Sequence, residues 1–296
     1  MDLTEAYREC ERITWTQARN FAYGIRLLPP AKRRGLAVIY AFARRIDDIG
    51  DGTLPPEQKI ADLEQARQSV LSLNETENES SRDDPVLLAL ADTARRFPIP
   101  VPAFGELIDG CVADVTGTSY ETFEDLHHYC RCVAGSIGRL SLGIFGTKAD
   151  PEKASEIADA LGVALQLTNI LRDIREDYGT GRVYLPAEDF KRFGTELRPN
   201  GSGGPADDPK LVELVVFEAD RARDWYARGL RLMPMLDRRS AACTGAMAGI
   251  YYRLLQSISA SPDAVLHRRV SLSAGQKATV AAKALAGAAL RAGGHG

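Results

Sequence analysis

Acidic residues follow two arginines in the stretch RRIDDIGD, residues 44–51, within a segment whose pattern otherwise predicts a helix. At about 100° per residue, Arg44, Asp47, Asp48 and Asp51 share a sector of about 100° on that helix. Carboxylates near the C-terminal end of a helix are unfavourable, because the helix dipole favours cations there. The acids therefore form either a solvated surface or a site that uses their charge.

A second polar line runs along residues 164–186. Gln166, Asn169, Asp173 and Asp177 are spaced by three, four and four residues, so they share a sector of about 80° on a helix. The residues around this line are mostly leucine and isoleucine. Because an unpaired buried polar group is costly, these amides and carboxylates need partners. Hard divalent cations, which take oxygen ligands, are suitable partners.

Two such helices facing each other across a cavity predict a magnesium cluster that binds a phosphorylated ligand. Mg²⁺ commonly uses a few carboxylates together with substrate phosphates and water. Arginines next to the acids would donate charge-assisted hydrogen bonds to the same phosphates; they are Arg44, Arg45, Arg172 and Arg182.

Helix signals dominate the rest of the chain. Capping aspartates precede prolines at Asp84-Pro85 and Asp150-Pro151, which is typical of helix starts. Helices are predicted near residues 3–27, 31–50, 57–73, 84–97, 101–117, 122–146, 151–178, 208–236, 240–259 and 273–291, with loops at 74–84 and 198–209. The pattern predicts one all-α domain over residues 1–296, with a tail that frays from about residue 282.

Composition and charge narrow the class of protein. The 296-residue chain is 45% hydrophobic with a formal net charge of −3, which gives no reason to expect nucleic-acid binding. Its five scattered cysteines fit reduced core residues better than a disulfide framework or a zinc site. The N-terminus lacks a signal-peptide pattern, and no apolar run reaches the length of about 20 residues that a membrane helix needs. We expect a cytoplasmic protein, with peripheral membrane contact as an option.

The chain resembles the squalene and phytoene synthase family, whose members carry two aspartate-rich motifs on helices of an all-α fold. RRIDDIGD is similar to the first motif and QLTNILRDIREDYGTGRVYLP (166–186) to the second. YCRCVAGSIGRLSLGIFG (129–146) and NFAYGIRLLPPAKRRGLAVIYAF (20–42) resemble two further signatures, in the family order. The resemblance implies a single-domain isoprenoid synthase fold with helices around a deep central cavity. Within the family, the sequence looks most similar to the bacterial hopanoid-pathway branch.

That branch implies the head-to-head condensation of two farnesyl diphosphates to presqualene diphosphate, with magnesium as cofactor. NADPH would be needed only if the reaction continued to squalene, and no dinucleotide-binding fingerprint is visible. Phytoene or dehydrosqualene synthesis is the alternative within the family. Asn169, Asp173 and Asp177 match the spacing of a class I terpene cyclase motif but not its residue types, so a cyclase is a remote alternative. A helical scaffold without activity is another.

The resemblance also implies roles for individual residues. The magnesium ligands would be Asp47, Asp51, Asp173 and Asp177, which are also catalytic, with Asp48 and Asn169 as further ligands. Tyr129 would be catalytic, because its ring can stabilise a cation and its phenol can orient a proton acceptor. The substrate-binding residues would be Arg19, Asn20, Phe21, Arg44, Arg45, Val133, Ile137, Gln166, Asn169, Arg172, Arg182, Tyr184 and Tyr252. Many members read Ser-x-Ser-Phe where this chain has ARNF (18–21), so Arg19 or Asn20 would replace a hydroxyl contact.

Overall fold

The computed structural model describes residues 2–18, 20–73, 84–198, 205–206 and 208–293. Within these ranges the chain is helical and contains no β-strand. The first elements are α1 (Leu3–Gln17), α2 (Ala22–Ile25), α3 (Pro30–Asp51), α4 (Pro56–Leu71), α5 (Pro85–Arg96), α6 (Pro102–Thr116), α7 (Phe123–Cys130), a π-helical segment (Arg131–Gly135) and α8 (Ser136–Phe145). The later elements are α9 (Pro151–Gly179), α10 (Ala187–Phe193), α11 (Pro209–Gly229), a 3-10 segment (Leu230–Met235), α12 (Arg238–Ala260), α13 (Ala264–His267) and α14 (Ala274–Gly293).

Side-chain caps begin the helices where the sequence predicts them. The Asp84 carboxylate accepts hydrogen bonds from the backbone N–H groups of Val86 and Leu87. Asp150 accepts one from the N–H of Lys153, and both caps precede a proline in the first turn. These bonds satisfy N–H groups that have no partner inside the helix.

Three helices predicted as continuous are divided. The one predicted at 3–27 stops at Gln17, and the one at 122–146 contains the π-helical segment. The one at 208–236 ends in a 3-10 turn that contains Pro234, which cannot donate an α-helical hydrogen bond. The short helices α10 and α13 are not predicted, because one or two turns carry no clear periodicity. The predicted loops lie largely outside the described residues, and the fraying of the tail stays a prediction, since α14 extends to Gly293.

Glycines allow α9 to lie close to the signature at residues 129–146, which we call the third signature. A Cβ at Gly162 would lie 2.5 Å from the carbonyl oxygen of Ala134, and one at Gly138 would lie 2.6 Å from that of Ala158. A Cβ at Gly135 would collide with the Asp159 carboxylate on α9. These residues therefore let the neighbouring helix come into close contact with the signature.

Helices α3 and α9 occupy the centre of the bundle. α3 packs against α1, α5, α6 and α8, and α9 packs against α8, α11, α12 and the π-helical segment. One continuous hydrophobic core joins them and includes Phe42 and Ile46 of α3 and Leu167 and Leu171 of α9. This bundle confirms the predicted all-α, single-domain isoprenoid synthase fold. No helix in the described ranges is both long and apolar enough to span a bilayer.

Candidate active site

Both aspartate motifs line one cavity of about 460 Å³. Its wall on α3 begins with Leu36 and Ile39 and ends with Asp47 and Asp51. Its wall on α9 likewise begins with apolar or small residues; in chain order the lining residues are Ala158, Leu161, Gly162, Leu165, Gln166, Asn169, Ile170, Arg172, Asp173 and Asp177. Each helix therefore passes from apolar to acidic in the direction of its C-terminus, which gives the cavity an apolar body and an acidic region.

The first motif contributes two carboxylates, Asp47 and Asp51, to the wall of the cavity. Burial, together with repulsion from neighbouring carboxylates, raises the pKa of Asp47 to about 7, although Arg44 opposes the shift. The Asp51 side chain is 62% exposed and receives a hydrogen bond from Nη1 of Arg182 at 3.3 Å. Arg182 belongs to the second motif, so this ion pair joins the two motifs across the cavity.

The second motif is held by arginines and by its own amides. The Asp173 carboxylate pairs with the guanidinium of Arg172 and, at 3.0 Å, with Nε of Arg269. Asn169 Nδ2 donates to Gln166 Oε1 at 3.3 Å. The Oδ1 atom of Asn169 is buried and has no hydrogen-bond partner among the described residues. Burial, followed by repulsion from Asp173, raises the pKa of Asp177 to about 7.

Asp114 on α6 is a cavity residue that the sequence analysis missed. The phenols of Tyr129 and Tyr184 donate to its two carboxylate oxygens at 2.9 and 2.8 Å. Burial raises the pKa of Asp114, although both phenols oppose the shift. A signal was present in the sequence: Leu107, Cys111 and Asp114 share one helix face, so a carboxylate stands on an apolar stripe.

Two other contributors come from distant parts of the chain. Arg269 lies between α13 and α14 and reaches Asp173, and no motif marks it in the sequence. Tyr251 on α12 stacks on Phe21, with ring centroids 5.8 Å apart, and Phe21 also contacts the ring of Tyr40. Phe21 and Tyr40 line the cavity, so Tyr251 supports an aromatic part of its wall.

Most of the predicted site residues line the cavity. Besides the four motif aspartates they are Phe21, Arg44, Tyr129, Val133, Ile137, Gln166, Asn169, Arg172, Arg182 and Tyr184. The Tyr129 ring stacks on that of Tyr184 at 5.3 Å. The third signature therefore meets the end of the second motif at Asp114.

Four predicted residues do not line this cavity: Asn20, Arg45, Asp48 and Tyr252. Asp48 pairs with Arg44 and lines a second cavity of about 410 Å³ that also involves α1 and α5. Arg45 makes a two-pronged ion pair with Asp84, at 2.7 and 2.8 Å, and lines the same second cavity. Adjacent residues on a helix point about 100° apart, and here Asp47 lines the first cavity while Asp48 lines the second.

Tyr252 also points away from the cavity. Its ring packs edge-on against Tyr226 at 5.1 Å, and its neighbour Tyr251 takes the position near Phe21 instead. Asn20 is described but is not part of the cavity wall. Arg19 lies outside the described residues.

The donor set fits a hard divalent cation. The unpartnered Oδ1 of Asn169 and the raised pKa values of Asp47 and Asp177 mark oxygens that a cation would satisfy. As they stand, no three of the His, Cys, Asp and Glu side chains in the described ranges are close enough to hold a metal ion. Mg²⁺ often completes its shell with substrate phosphates and water, so fewer protein ligands suffice for each ion.

Comparison with known proteins identifies the class. The family profile of squalene/phytoene synthase matches residues 15–276, and the chain belongs to this family of prenyltransferases, which act on prenyl diphosphates. The chain is 52% identical over 287 residues to a phytoene synthase of Mycobacterium tuberculosis, covering 96% of this chain and 92% of the relative. It is 35% identical to a 15-cis-phytoene synthase of Synechocystis, covering 90% and 80%.

Solved structures agree with this class. A dehydrosqualene synthase in complex with a ligand superposes with a TM-score of 0.86 at 29% identity, covering 96% of each chain. The squalene synthase HpnC of Alicyclobacillus acidocaldarius superposes with a TM-score of 0.76 at 29% identity, covering 86% of this chain and 94% of HpnC. The family predicted from the sequence is thus confirmed. The 52% relative favours the phytoene alternative over the presqualene branch that the sequence analysis put first.

Proposed function

We propose that this protein is a phytoene synthase, which condenses two geranylgeranyl diphosphates head to head. The observation that carries the proposal is the cavity that both aspartate motifs line, with an apolar body next to its acidic region. Such a cavity suits two substrates that each have a long apolar chain and a diphosphate head. The choice of the 20-carbon substrate rests on the 52% identity to a relative named phytoene synthase.

Magnesium would be held by Asp47, Asp51, Asp173 and Asp177 with Asn169, and would neutralise the diphosphates and favour their departure. Asp48 is no longer among the proposed ligands, because it pairs with Arg44 beside the second cavity. This donor set joins both motifs, so neither helix alone would form the site.

The arginines of the site have a second task in the proposal. Arg172 and Arg182 pair with the carboxylates Asp173 and Asp51, which limits repulsion among the acids. When a cation takes over these carboxylates, the guanidinium groups become free to donate to the diphosphates, for which their geometry is well suited. In the proposed order of binding, the metal ions enter together with diphosphate first. The freed guanidinium groups then bind the diphosphate groups of both substrates tightly.

The body of the cavity would orient the two chains and exclude water. Val133 and Ile137 provide apolar contacts, and the rings of Phe21, Tyr40 and Tyr129 line the same cavity. Loss of diphosphate from one substrate gives an allylic cation, which the double bond of the other attacks. Aromatic faces stabilise such a cation by about 0.5–2 kcal/mol each. Loss of a proton then closes a cyclopropane. Departure of the second diphosphate gives another cation, which rearranges and loses a second proton to form phytoene.

Presqualene diphosphate synthesis from two farnesyl diphosphates is the second candidate. The similarity to the squalene synthase HpnC favours it. The proposed phytoene reaction needs no reductant, whereas continuation to squalene would need NADPH. For either product, contact with a membrane surface is also proposed, because the chains of the substrates are apolar.

The test is a product analysis with purified protein and Mg²⁺. Geranylgeranyl or farnesyl diphosphate is supplied separately, with and without NADPH, and organic extracts are analysed after phosphatase treatment. Phytoene from geranylgeranyl diphosphate, independent of NADPH, is the expected result. Presqualene alcohol or squalene from farnesyl diphosphate alone would replace the proposal by the second candidate. Absence of any condensed product, with Asp173→Asn as the blank, would reject both.

A further inference from the structure

Two nearly fully buried carboxyl groups meet outside the cavity, between α10 and α11. Asp189 on α10 is 3% exposed and Glu218 on α11 is 1% exposed. Nη1 of Arg221, one turn further along α11, donates to Asp189 Oδ2 at 2.7 Å and to Glu218 Oε1 at 2.6 Å. We call these three residues the α10 anchor.

The α10 anchor contains two acids for one guanidinium. Oε2 of Glu218 is buried and has no partner among the described residues if the carboxyl is ionised. The guanidinium of Arg221 lies 4.0 Å from the ring centroid of Phe123 and 4.7 Å from that of Phe217, and its side chain is 17% exposed. Burial raises the pKa of Glu218 to about 8, and the nearby Asp189 adds to the shift while Arg221 opposes it.

Among the described residues, no second positively charged group pairs with Glu218. Burial, followed by the charge of Glu218, raises the pKa of Cys130 on α7. Arg192 on α10 stacks on the ring of Phe217. His127 on α7 stacks on Trp225, and burial lowers its pKa, which favours the neutral ring. Where α9 bonds to α11, the contact is between the uncharged side chains of Thr168 and Tyr226.

The segment between α9 and α10 carries Arg182 and Tyr184 into the active site, and helix α10 fixes its C-terminal end. At the other end, the backbone N–H of Arg182 donates to the carbonyl of Asp177 at 2.8 Å. Between these ends lie the Arg182 guanidinium, paired with Asp51, and the Tyr184 phenol, bonded to Asp114. The start of α10 also pairs with the segment before α7, since Ala187 N–H donates to the carbonyl of Tyr120 at 2.9 Å.

We infer that Glu218 is a positioning residue that acts in its neutral form: protonated Glu218, Asp189 and Arg221 hold α10 in place, and α10 in turn holds Arg182 and Tyr184 at the cavity. A proton on Oε2 of Glu218 turns this oxygen from an unpaired acceptor into a hydrogen-bond donor. Only the Asp189 carboxylate then carries a negative charge, and the Arg221 guanidinium balances it. Loss of the proton to solvent leaves two buried carboxylates beside each other, and their repulsion loosens α10. The effect on the active site rests on the proposed function, whereas the anchor itself does not.

The test compares wild type with Glu218→Gln, which copies the neutral carboxyl in shape and charge. Thermal unfolding is followed from pH 6 to pH 9.5. The ionised fraction of a group with a pKa of about 8 rises from about one tenth at pH 7 to about nine tenths at pH 9. Because an unfolded glutamate ionises at about pH 4.3, the wild-type Tm is expected to fall from pH 6 to about pH 8 more steeply than that of Glu218→Gln, and the two slopes converge once folded Glu218 is ionised. Glu106→Gln, which removes an acid paired with Arg139 on α8, is the matched control and keeps the wild-type pH dependence.

Two further readouts separate positioning from general stability. Amide hydrogen exchange in α10, corrected for the intrinsic pH effect, is expected to accelerate in wild type between pH 7 and 9, but not in Glu218→Gln. The KM for geranylgeranyl diphosphate is expected to rise severalfold over the same range in wild type, with a smaller change in kcat, and to stay nearly constant in Glu218→Gln.

The outcomes distinguish the anchor from the proposed function. Equal pH profiles of Tm and of exchange for wild type and Glu218→Gln would overturn the inference. A difference in Tm and exchange without any turnover of prenyl diphosphates would keep the anchor and reject the proposed function. If Glu218→Gln fails to fold at pH 7, the wild-type exchange profile alone decides: uniform acceleration across all helices overturns the inference, and acceleration confined to α10 and the segment before it supports it.

Discussion

The two aspartate motifs reach the same cavity from helices that present them differently. On α3 the acids lie in the last five residues, and the adjacent Asp47 and Asp48 diverge, so only one of the pair faces the cavity. On α9 the residues are spaced by three and four, and all four polar side chains, from Gln166 to Asp177, line the cavity. Spacing, rather than the number of acids, therefore decides how many carboxylates a helix delivers to one site.

The motifs also differ in exposure. The Asp51 side chain is 62% exposed at the end of α3, whereas that of Asp173 is 17% exposed within α9. Three arginines stabilise these acids, and one of them, Arg269, comes from a distant segment. The second motif is thus the more completely enclosed of the two. The first motif depends on the second for Arg182, the ion-pair partner of Asp51.

The largest expected effect is the loss of kcat when an aspartate that lines the first cavity is replaced, compared with replacement of Asp48, which lines the second. Asp173→Asn on α9 and Asp47→Asn on α3 should each reduce kcat by at least about 100-fold, the upper range seen when groups that merely support metal ligands are removed. Asp48→Asn should stay within about threefold of wild type, because Asp48 faces the second cavity. Steady-state kinetics with Mg²⁺ and far-UV circular dichroism provide the comparison. A loss for Asp48→Asn as large as that for Asp47→Asn would restore Asp48 as a ligand.

A smaller effect tests how α9 is seated. Gly162→Ala should lower the free energy of unfolding by about 1–3 kcal/mol, because the added Cβ would lie 2.5 Å from the Ala134 carbonyl oxygen. Gly179→Ala, at the end of the same helix, meets no atom within 4 Å and should change stability by less than about 1 kcal/mol. Urea denaturation measures both. Equal effects would mean that the close contact with the third signature does not hold α9.

The pH dependence of metal-free protein tests the repulsion between the motifs. The pKa values of Asp47 and Asp177 are raised to about 7, above the value of about 3.9 for an unfolded aspartate. Their contribution to stability is therefore complete below pH 4 and is lost as the pH rises through 7. We expect the Tm without metal to decrease from pH 5 to pH 8, and Asp177→Asn to flatten the decrease.

Ligand addition gives the complementary measurement. Mg²⁺ with inorganic pyrophosphate should raise the wild-type Tm at pH 8 more than at pH 5, because the ionised carboxylates bind it. Asp48→Asn should keep this response and Asp177→Asn should lose most of it. A response that is equal at both pH values would argue against carboxylate ligands.

The smallest expected effect concerns the outer side of α3. Arg45→Gln removes a partly exposed ion pair with Asp84 and should lower the free energy of unfolding by about 1 kcal/mol or less. The KM of Arg45→Gln should equal that of wild type, since Arg45 does not line the cavity that both motifs share. Arg182→Gln, by contrast, should raise KM. A raised KM for Arg45→Gln would return it to the substrate-binding set.

Much of this site could be predicted from local pattern. The helical lines of α3 and α9, the capping aspartates Asp84 and Asp150, and the family signatures are all readable over a few turns of chain. The π-helical segment was not, and it lies in close contact with α9, a separate part of the chain. The product branch could not be predicted in this way either, since the motifs that mark the family are shared by its presqualene- and phytoene-forming members.

The sequence by itself determined the all-α class, the family and the two lines of oxygen ligands, since helical periodicity and residue type are local properties. Only the tertiary structure decided that Asp114 receives the phenols of Tyr129 and Tyr184, that Arg269 reaches Asp173, and that Asp48 and Tyr252 turn away. These contacts join residues far apart in the chain or depend on how each helix is rotated in the bundle. Rotation is set by the packing of the whole core, which no short stretch of sequence contains.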